Sequence, residues 1–188
     1  MLYSRLCQSG ITAVRTHEPG GTTLGSKLAE WLRWGVGITP QTELLLFAAC
    51  RAQLMTEVIF PSLDSGAVVI CDRHAESTVA YQGYGRGLDL EIIESLNSVA
   101  TGGRRPDLIV LLDITPEVGL ARKQPSKGDR FEHEDIAFHR RVREGYLEIA
   151  AAEPQRWMVV NGELPKAAVE MTVWRRVKVI LDADGRQD

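Results

Sequence analysis

Asp72-Arg73-His74-Ala75-Glu76-Ser77-Thr78-Val79-Ala80-Tyr81-Gln82-Gly83-Tyr84-Gly85-Arg86-Gly87 is the stretch whose reading decides the fold. It follows a β-branched run (Val68, Val69, Ile70) and turns abruptly polar, aromatic and glycine-punctuated. An acid and a fixed cation at the exit of a buried strand suit phosphate and magnesium chemistry. Proteins built this way generally open with a G-x-x-x-x-G-K-[ST] loop, and this chain contains none.

Working outward, strand and helix signals alternate. Leu2 and Leu6 followed by Gly10 read as the last turns of a helix, and Ile11 to Thr16 as a short strand. Pro19-Gly20-Gly21 is a turn. Leu24, Leu28, Trp31 and Leu32 fall on one helical stripe, and a longer helix covers roughly 42–63. Val68 to Cys71 is the next strand. Ile92, Leu96, Val99 and Ala100 predict a helix capped by Asp89. The nearly unbroken apolar run 107–114 predicts a strand covered on both faces. Phe138, Val142, Tyr146 and Ile149 predict a helix near 134–152, 157–160 a strand, and Val169, Val173, Val177 and Ile180 a closing helix. This alternation gives an α/β class with a parallel sheet. The 188 residues read as a single domain.

Composition narrows the class of function. A net charge of −3 gives no general attraction to nucleic acid or an anionic membrane. No run approaches eighteen consecutive apolar residues, so no membrane span is expected, and Met1 to Gly10 does not read as a signal peptide. Cys7, Cys50 and Cys71 fit neither a disulfide framework nor a zinc spacing, and read as reduced thiols of a cytoplasmic protein. The four histidines are scattered and suggest no metal site.

A few constellations have chemical potential. His17-Glu18-Pro19-Gly20-Gly21-Thr22 lies between a strand and a helix, as a tight turn or as a nucleotide-facing one. Gly20 to Lys27 mimics a phosphate loop, but Ser26 and Lys27 stand in reversed order, which turns the lysine about 100° around the helix. Phe47 and Arg51 share a helix face. In isolation they read as a core phenylalanine beside a surface arginine; as a pair they suit stacking on a base and donating to its carbonyl edge. Arg122 to Arg130 carries four cations in nine residues, loosened by Pro125 and Gly128. Such a run is usually a solvated face; between two helices it also suits a lid over a polyphosphate, at about 122–130.

In this order the motifs His-Glu-Pro-Gly-Gly-Thr (17–22), Asp-Arg-His-x-x-Ser-Thr-x-Ala-Tyr-Gln-Gly (72–83), Pro-Asp-Leu-x-x-x-Leu-Asp-x-x-Pro-Glu-Val-Gly-Leu (106–120) and Gly-Asp-Arg-Phe-Glu (128–132) resemble the thymidylate (dTMP) kinases of bacteria. The resemblance implies a P-loop-kinase-like parallel sheet flanked by helices, and phosphorylation of dTMP by ATP with Mg2+. It places Phe47 on thymine, Arg51 on its carbonyl edge, and Thr78 and Gln82 at the base edge. Tyr81 falls under the sugar and Pro19 lines the nucleotide site. Arg73 holds the dTMP phosphate, with Asp72 organising magnesium through its waters. Arg122, Lys127 and Arg130 fall in the lid over ATP, and a homodimer is implied. Asp72, Arg73, Arg122, Lys127 and Arg130 are thus the expected catalytic set.

Two departures stand out. His17 occupies a position where the bacterial family usually carries arginine. The family also opens with a strand, a phosphate-binding loop and a helix, and this chain is expected to start inside that helix. The central first strand, between those ending at Asp72 and Asp113, would then be missing, as part of about twenty absent residues, and the chain as it stands would be inactive. Alternative readings are a non-catalytic paralogue that retains the nucleotide pocket, and a nucleoside monophosphate kinase with a different base preference.

Overall fold

Helix ends in this chain follow their local chemistry. The computed structural model describes residues 1–122 and 129–185. Helix α1 (Leu2–Gln8) stops just before Gly10, which takes the left-handed φ of +73°. Thr22 caps α2 (Thr23–Trp34) by accepting from the Gly25 N–H at 2.9 Å. Thr39 does the same for α3 (Pro40–Leu54), with Pro40 in its first turn. A π-helical turn, Met55–Ile59, then runs into α4 (Phe60–Asp64). Pro61 has no N–H to donate to the preceding turn, which accounts for the local widening.

Strand β1 (Ala13–His17) pairs in parallel with β2 (Val68–Asp72), Ala13 opposite Val68 and His17 opposite Asp72. After β2 come α5 (Ala75–Thr78), a π-helical segment Val79–Gly85, and α6 (Leu90–Thr101). Asp89 caps α6, accepting from the N–H groups of Glu91 and Ile92. Strand β3 (Ile109–Asp113) pairs in parallel with β4 (Trp157–Asn161), Asp113 opposite Asn161. Between them lie α7 (Pro116–Ala121) and α8 (Ile136–Ala152); α9 (Lys166–Ala183) closes the chain. Among the described residues β2 and β3 do not pair, so the four strands form two separate two-stranded sheets.

One core cluster joins Leu54, Met55 and Ile59 to Val69 and Cys71 under the first sheet. A second joins Ala80, Phe138 and Val142 to Tyr81 and Tyr146. Glycines make the second possible. A Cβ on Gly83 would come 2.5 Å from Leu90, and one on Gly85 would come 2.7 Å from Phe138, so the π-helical segment lies directly on its neighbours. Burial pushes the Cys50 thiol up to about 11 and the Cys71 thiol to about 12, in line with inert reduced cysteines.

Four expectations need correction. On α2 the buried face is Gly25, Ala29 and Leu32, while Leu24 and Trp31 are exposed. Helix α2 approaches the Pro19-Gly20-Gly21 turn so closely that its inner face needs small residues: a Cβ on Gly25 would lie 3.2 Å from the Gly20 nitrogen. On α6 the buried residues are Ile93, Asn97, Ala100 and Thr101, leaving Ile92 and Val99 outside. Polar pairing of Asn97 turned that helix against its apolar stripe. Strands β3 and β4 are covered incompletely, with Leu112 and Val159 about half exposed. Finally, Pro40–Asp64 is a helical rod long and apolar enough to cross a membrane, with mean hydropathy 1.4. Its fully buried Glu43 and Arg51 are ion-paired to other elements, as in a core helix of a folded domain.

Candidate functional site

Parallel sheets present their loops at the carboxyl ends of the strands, where ligands bind in α/β folds. At that end of the first sheet, the Glu18 N–H donates to the Asp72 carbonyl at 2.9 Å, extending the ladder past both strands. This brings the turn 17–22 beside the segment that opens at Asp72-Arg73. Arg73 adopts a left-handed φ of +65°, which costs a non-glycine residue about 1–3 kcal/mol. It leaves the strand pointing its exposed guanidinium at Tyr81: Nη2 donates to the Tyr81 hydroxyl at 3.2 Å, and the cation lies 5.0 Å from the ring centroid.

Behind this surface Arg51 is 1% exposed. Its Nε donates to both Glu18 carboxylate oxygens at 3.2 and 3.0 Å; Nη2 donates to Glu18 Oε2 at 2.7 Å and to Thr78 Oγ1 at 2.8 Å. Nη1 donates to Asn97 Oδ1 at 2.7 Å. A guanidinium carries five N–H groups, so one, on Nη1, is left without a partner among the described residues. Arg51 is therefore no surface arginine. It is the hub of a buried network joining β1's exit, α3, α5 and α6.

Glu43 forms a second buried hub about two turns upstream on the same helix face. Gln82 Nε2 donates to its Oε1 at 2.6 Å, Arg86 reaches both oxygens at 3.3 Å, and Arg130 Nη1 lies 2.7 Å from Oε2. An aromatic cluster lies close by. Phe131 sits between Phe47 and Tyr81, with centroids 6.0 and 5.9 Å away, and Tyr81 also meets Phe138 and Tyr146 edge-on.

The expected acceptor-side residues fall into three groups: Arg51 bonds Thr78, Phe47 and Tyr81 meet through Phe131 with Arg73 on Tyr81, and Gln82 is held by Glu43, while Pro19 lies half-buried in the turn 17–22. The expected lid set is divided. Lys127 lies outside the described residues. Arg130 is held by Glu43 and by the Leu32 carbonyl at 3.2–3.3 Å, so it is an anchored residue and not a free cation. Arg122 donates to the Gly162 carbonyl at 2.8 Å, beside a cavity of about 380 Å³ at the carboxyl ends of β3 and β4. Asp113, Thr115, Arg143, Asn161 and Glu163 line that cavity, and Arg143 pairs bidentately with Asp113 at 2.7 and 2.8 Å.

Sequence reasoning missed Glu43, Asn97 and Phe131 as site residues. Glu43 was visible in principle, since residues 43, 47 and 51 are spaced by four on an apolar helix. Asn97 had no such signal. Among the described residues no cluster of three His, Cys, Asp or Glu side chains could cage a metal. The exposed Asp72 suits a different mode: magnesium keeps several waters and takes one or two carboxylates plus substrate phosphates.

A thymidylate kinase family model matches residues 1–173. The chain is 51% identical to the thymidylate kinase of Synechococcus sp. (strain JA-3-3Ab) over 178 residues, covering 95% of this chain and 86% of that protein. The chain belongs to the thymidylate kinase family. Against the Thermomicrobium roseum enzyme identity is 45%, covering 96% and 87% of the two chains. The crystal structure of thymidylate kinase from Ehrlichia chaffeensis superposes with a TM-score of 0.77 at 30% identity, covering 94% and 87%.

The network around Glu18 carries a titration signature. His74 has its Nε2 3.7 Å from Glu18 Oε1 and its Nδ1 4.0 Å from Glu76 Oε2, and Nδ1 has no hydrogen-bond partner. Burial, and then Arg51, lowers its pKa to about 4. Burial raises the Glu18 and Glu76 carboxyls against the pull of nearby arginines. A depressed histidine binds its proton more readily in the unfolded chain, so its contribution to stability is lost as pH falls from about 6.5 towards 4. His74→Gln should remove roughly 1–2 kcal/mol of the stability lost between pH 7 and pH 5, while the opposite contributions of Glu18 and Glu76 remain in both proteins. Urea melts at the two pH values check this; an unchanged pH difference in the variant would exclude the assignment.

Proposed function

We infer that this protein phosphorylates dTMP to dTDP with ATP. The observation that carries the reading is the match to thymidylate kinases across nearly the whole chain. Phe47 supplies an apolar face for the base, and Arg51 supplies one fixed N–H for a base carbonyl. Thr78 and Gln82 back the base edge. Arg73, exposed beside Tyr81, meets the phosphate. Phosphoryl transfer is mostly positioning and charge neutralisation, and the acceptor here is a phosphate oxygen already largely ionised near pH 7. Asp72 would hold Mg2+ through its waters; the ion, when bound, neutralises charge on the transferring phosphates. Arg73→Ala should weaken dTMP binding at least tenfold more than thymidine binding, because only the nucleotide carries the phosphate. Equal losses in titration calorimetry would remove Arg73 from the phosphate site.

On this reading the donor nucleotide lies towards the carboxyl ends of β3 and β4, where Arg122 donates to the Gly162 carbonyl. What the 188 residues do not include is a G-x-x-x-x-G-K-[ST] loop. We propose that the working enzyme has a further strand between β2 and β3 that carries such a loop, whose backbone N–H groups hold the β- and γ-phosphates. The two unjoined ladders support this reading. Loss of one preorganised donor costs about 10²–10³ in rate. The 188 residues alone should then turn over at least a hundredfold more slowly than the same chain fused to a strand and loop of that type. A coupled ADP-release assay compares them, and equal turnover would show that the loop is dispensable.

A cytoplasmic homodimer completes the reading. The successively packed helices α2, α3 and α6 each carry exposed apolar residues: Trp31 at 67%, Leu45 at 56% and Val99 at 81%. Val99→Asp should shift the protein to monomer in sedimentation velocity. A variant that sediments like the wild type would place the interface elsewhere.

A further inference from the structure

Glu43 is the least exposed ionisable side chain of the acceptor side, at 0%, and is itself assigned no contact with substrate. Its partners define what it does. Arg86 and Arg130 converge on the carboxylate, and Arg86 is itself shared with Glu134 at 2.6 Å. The remaining partner is the Gln82 amide at 2.6 Å.

A carboxylate accepts hydrogen bonds and donates none, whereas a side-chain amide has a donor end and an acceptor end. Glu43 therefore allows only one orientation of Gln82, with Nε2 towards the carboxylate and Oε1 turned away from it. Gln82 is only 1% exposed and lies in the closely packed π-helical segment, so the amide has little room to satisfy itself elsewhere. The pyrimidine bases differ at this point: thymine and uracil carry an N3–H donor, whereas cytosine has an N3 acceptor and an amino donor in place of the O4 acceptor. An amide locked with its oxygen outward complements the first pattern and opposes the second.

We propose that Glu43 is a specificity-determining positioning residue, which fixes the Gln82 amide so that its oxygen faces an imide N–H and the site selects thymine-type bases against cytosine. The proposal rests on the acceptor-site reading above. It deepens that reading by assigning base selection to a residue that does not contact the base. A helix carboxylate with two guanidinium partners is the group to do this, since its acceptor character is held by the same charges that hold its position.

Equilibrium binding of dTMP and dCMP tests it, because binding to the acceptor site needs neither ATP nor turnover. Glu43→Gln keeps the shape but can donate as well as accept, so the Gln82 amide is free to flip. The dTMP over dCMP affinity ratio should fall about tenfold, the worth of one hydrogen bond. Glu43→Asp, which retains the charge for Arg86 and Arg130 but withdraws it from Gln82, should produce the same fall, and supplies the test if the Gln variant does not fold. In a Gln82→Ala background, Glu43→Gln should leave the ratio unchanged. A wild-type ratio in both Glu43 variants overturns the proposal while leaving the dTMP site intact. A fall that persists undiminished in the Gln82→Ala background overturns it also, by showing a general loss of structure. A wild-type protein with no preference for dTMP would instead sink the acceptor-site reading itself.

Discussion

The buried pair of Arg51 and Glu18 is the contact on which the acceptor side depends. Each ion alone in that interior would be severely penalised, and removing one partner of such a pair typically costs about 3–5 kcal/mol. Together, with Thr78 and Asn97 taking further N–H groups, they form a charge-assisted network that reaches four elements. Asn97 extends it by donating to the Ala75 carbonyl at 3.2 Å, which ties α6 to the first turn after Arg73. The start of the 72–87 signature is therefore positioned by polar bonds, and only its later half by apolar packing against Phe138 and Val142.

This construction separates two kinds of arginine. Arg51 is immobilised, with one N–H in reserve, and can add direction but little charge to whatever lies in front of it. Arg73 is exposed, strained at its backbone and held against Tyr81 by a single hydrogen bond and a cation–π contact. On the proposed assignment, that freedom suits a group that meets a charged phosphate, whereas rigidity suits a group that reads a planar base. The same division appears at Glu43, where Arg130 is drawn in from the basic segment and fixed.

Much of this was legible in the sequence. The order of the four strands, the capping role of Asp89 and the Asp72-Arg73 exit follow from local rules, whereas the helical elements at 75–85 and 116–121 were not read. The buried faces of α2 and α6 did not, for a physical reason: hydropathy periodicity assumes that burial follows apolarity. On α6, Asn97 is inside because Arg51 and the Ala75 carbonyl need it, and Ile92 and Val99 are carried outward as a result. On α2, glycine and alanine face inward because the turn at 20–21 leaves no room for leucine. Arg51 looked like a surface residue for the same reason, since its partners come from positions 18, 78 and 97, and nothing local announces them. The anchoring of Arg130 likewise comes from a long-range contact, with Glu43.

Three carboxylates lie near an acceptor site that needs no general base, Glu18 and Glu43 buried and Glu76 partly buried, and for the two buried ones a single physical explanation serves. Buried carboxylates near a reaction centre commonly act as proton acceptors with raised pKa values. Glu18 and Glu76 do have raised values through burial. Glu18, however, has its oxygens taken up by Arg51, and Glu43 is surrounded by Gln82, Arg86 and Arg130. Oxygens held by several donors in this way serve as anchors. Because a phosphate oxygen attacks without losing a proton, nothing in the chemistry calls these groups away from that task. The interior acids are there to orient donors, Arg51 in one case and Gln82 in the other, and the direction of those donors is what a nucleotide would read.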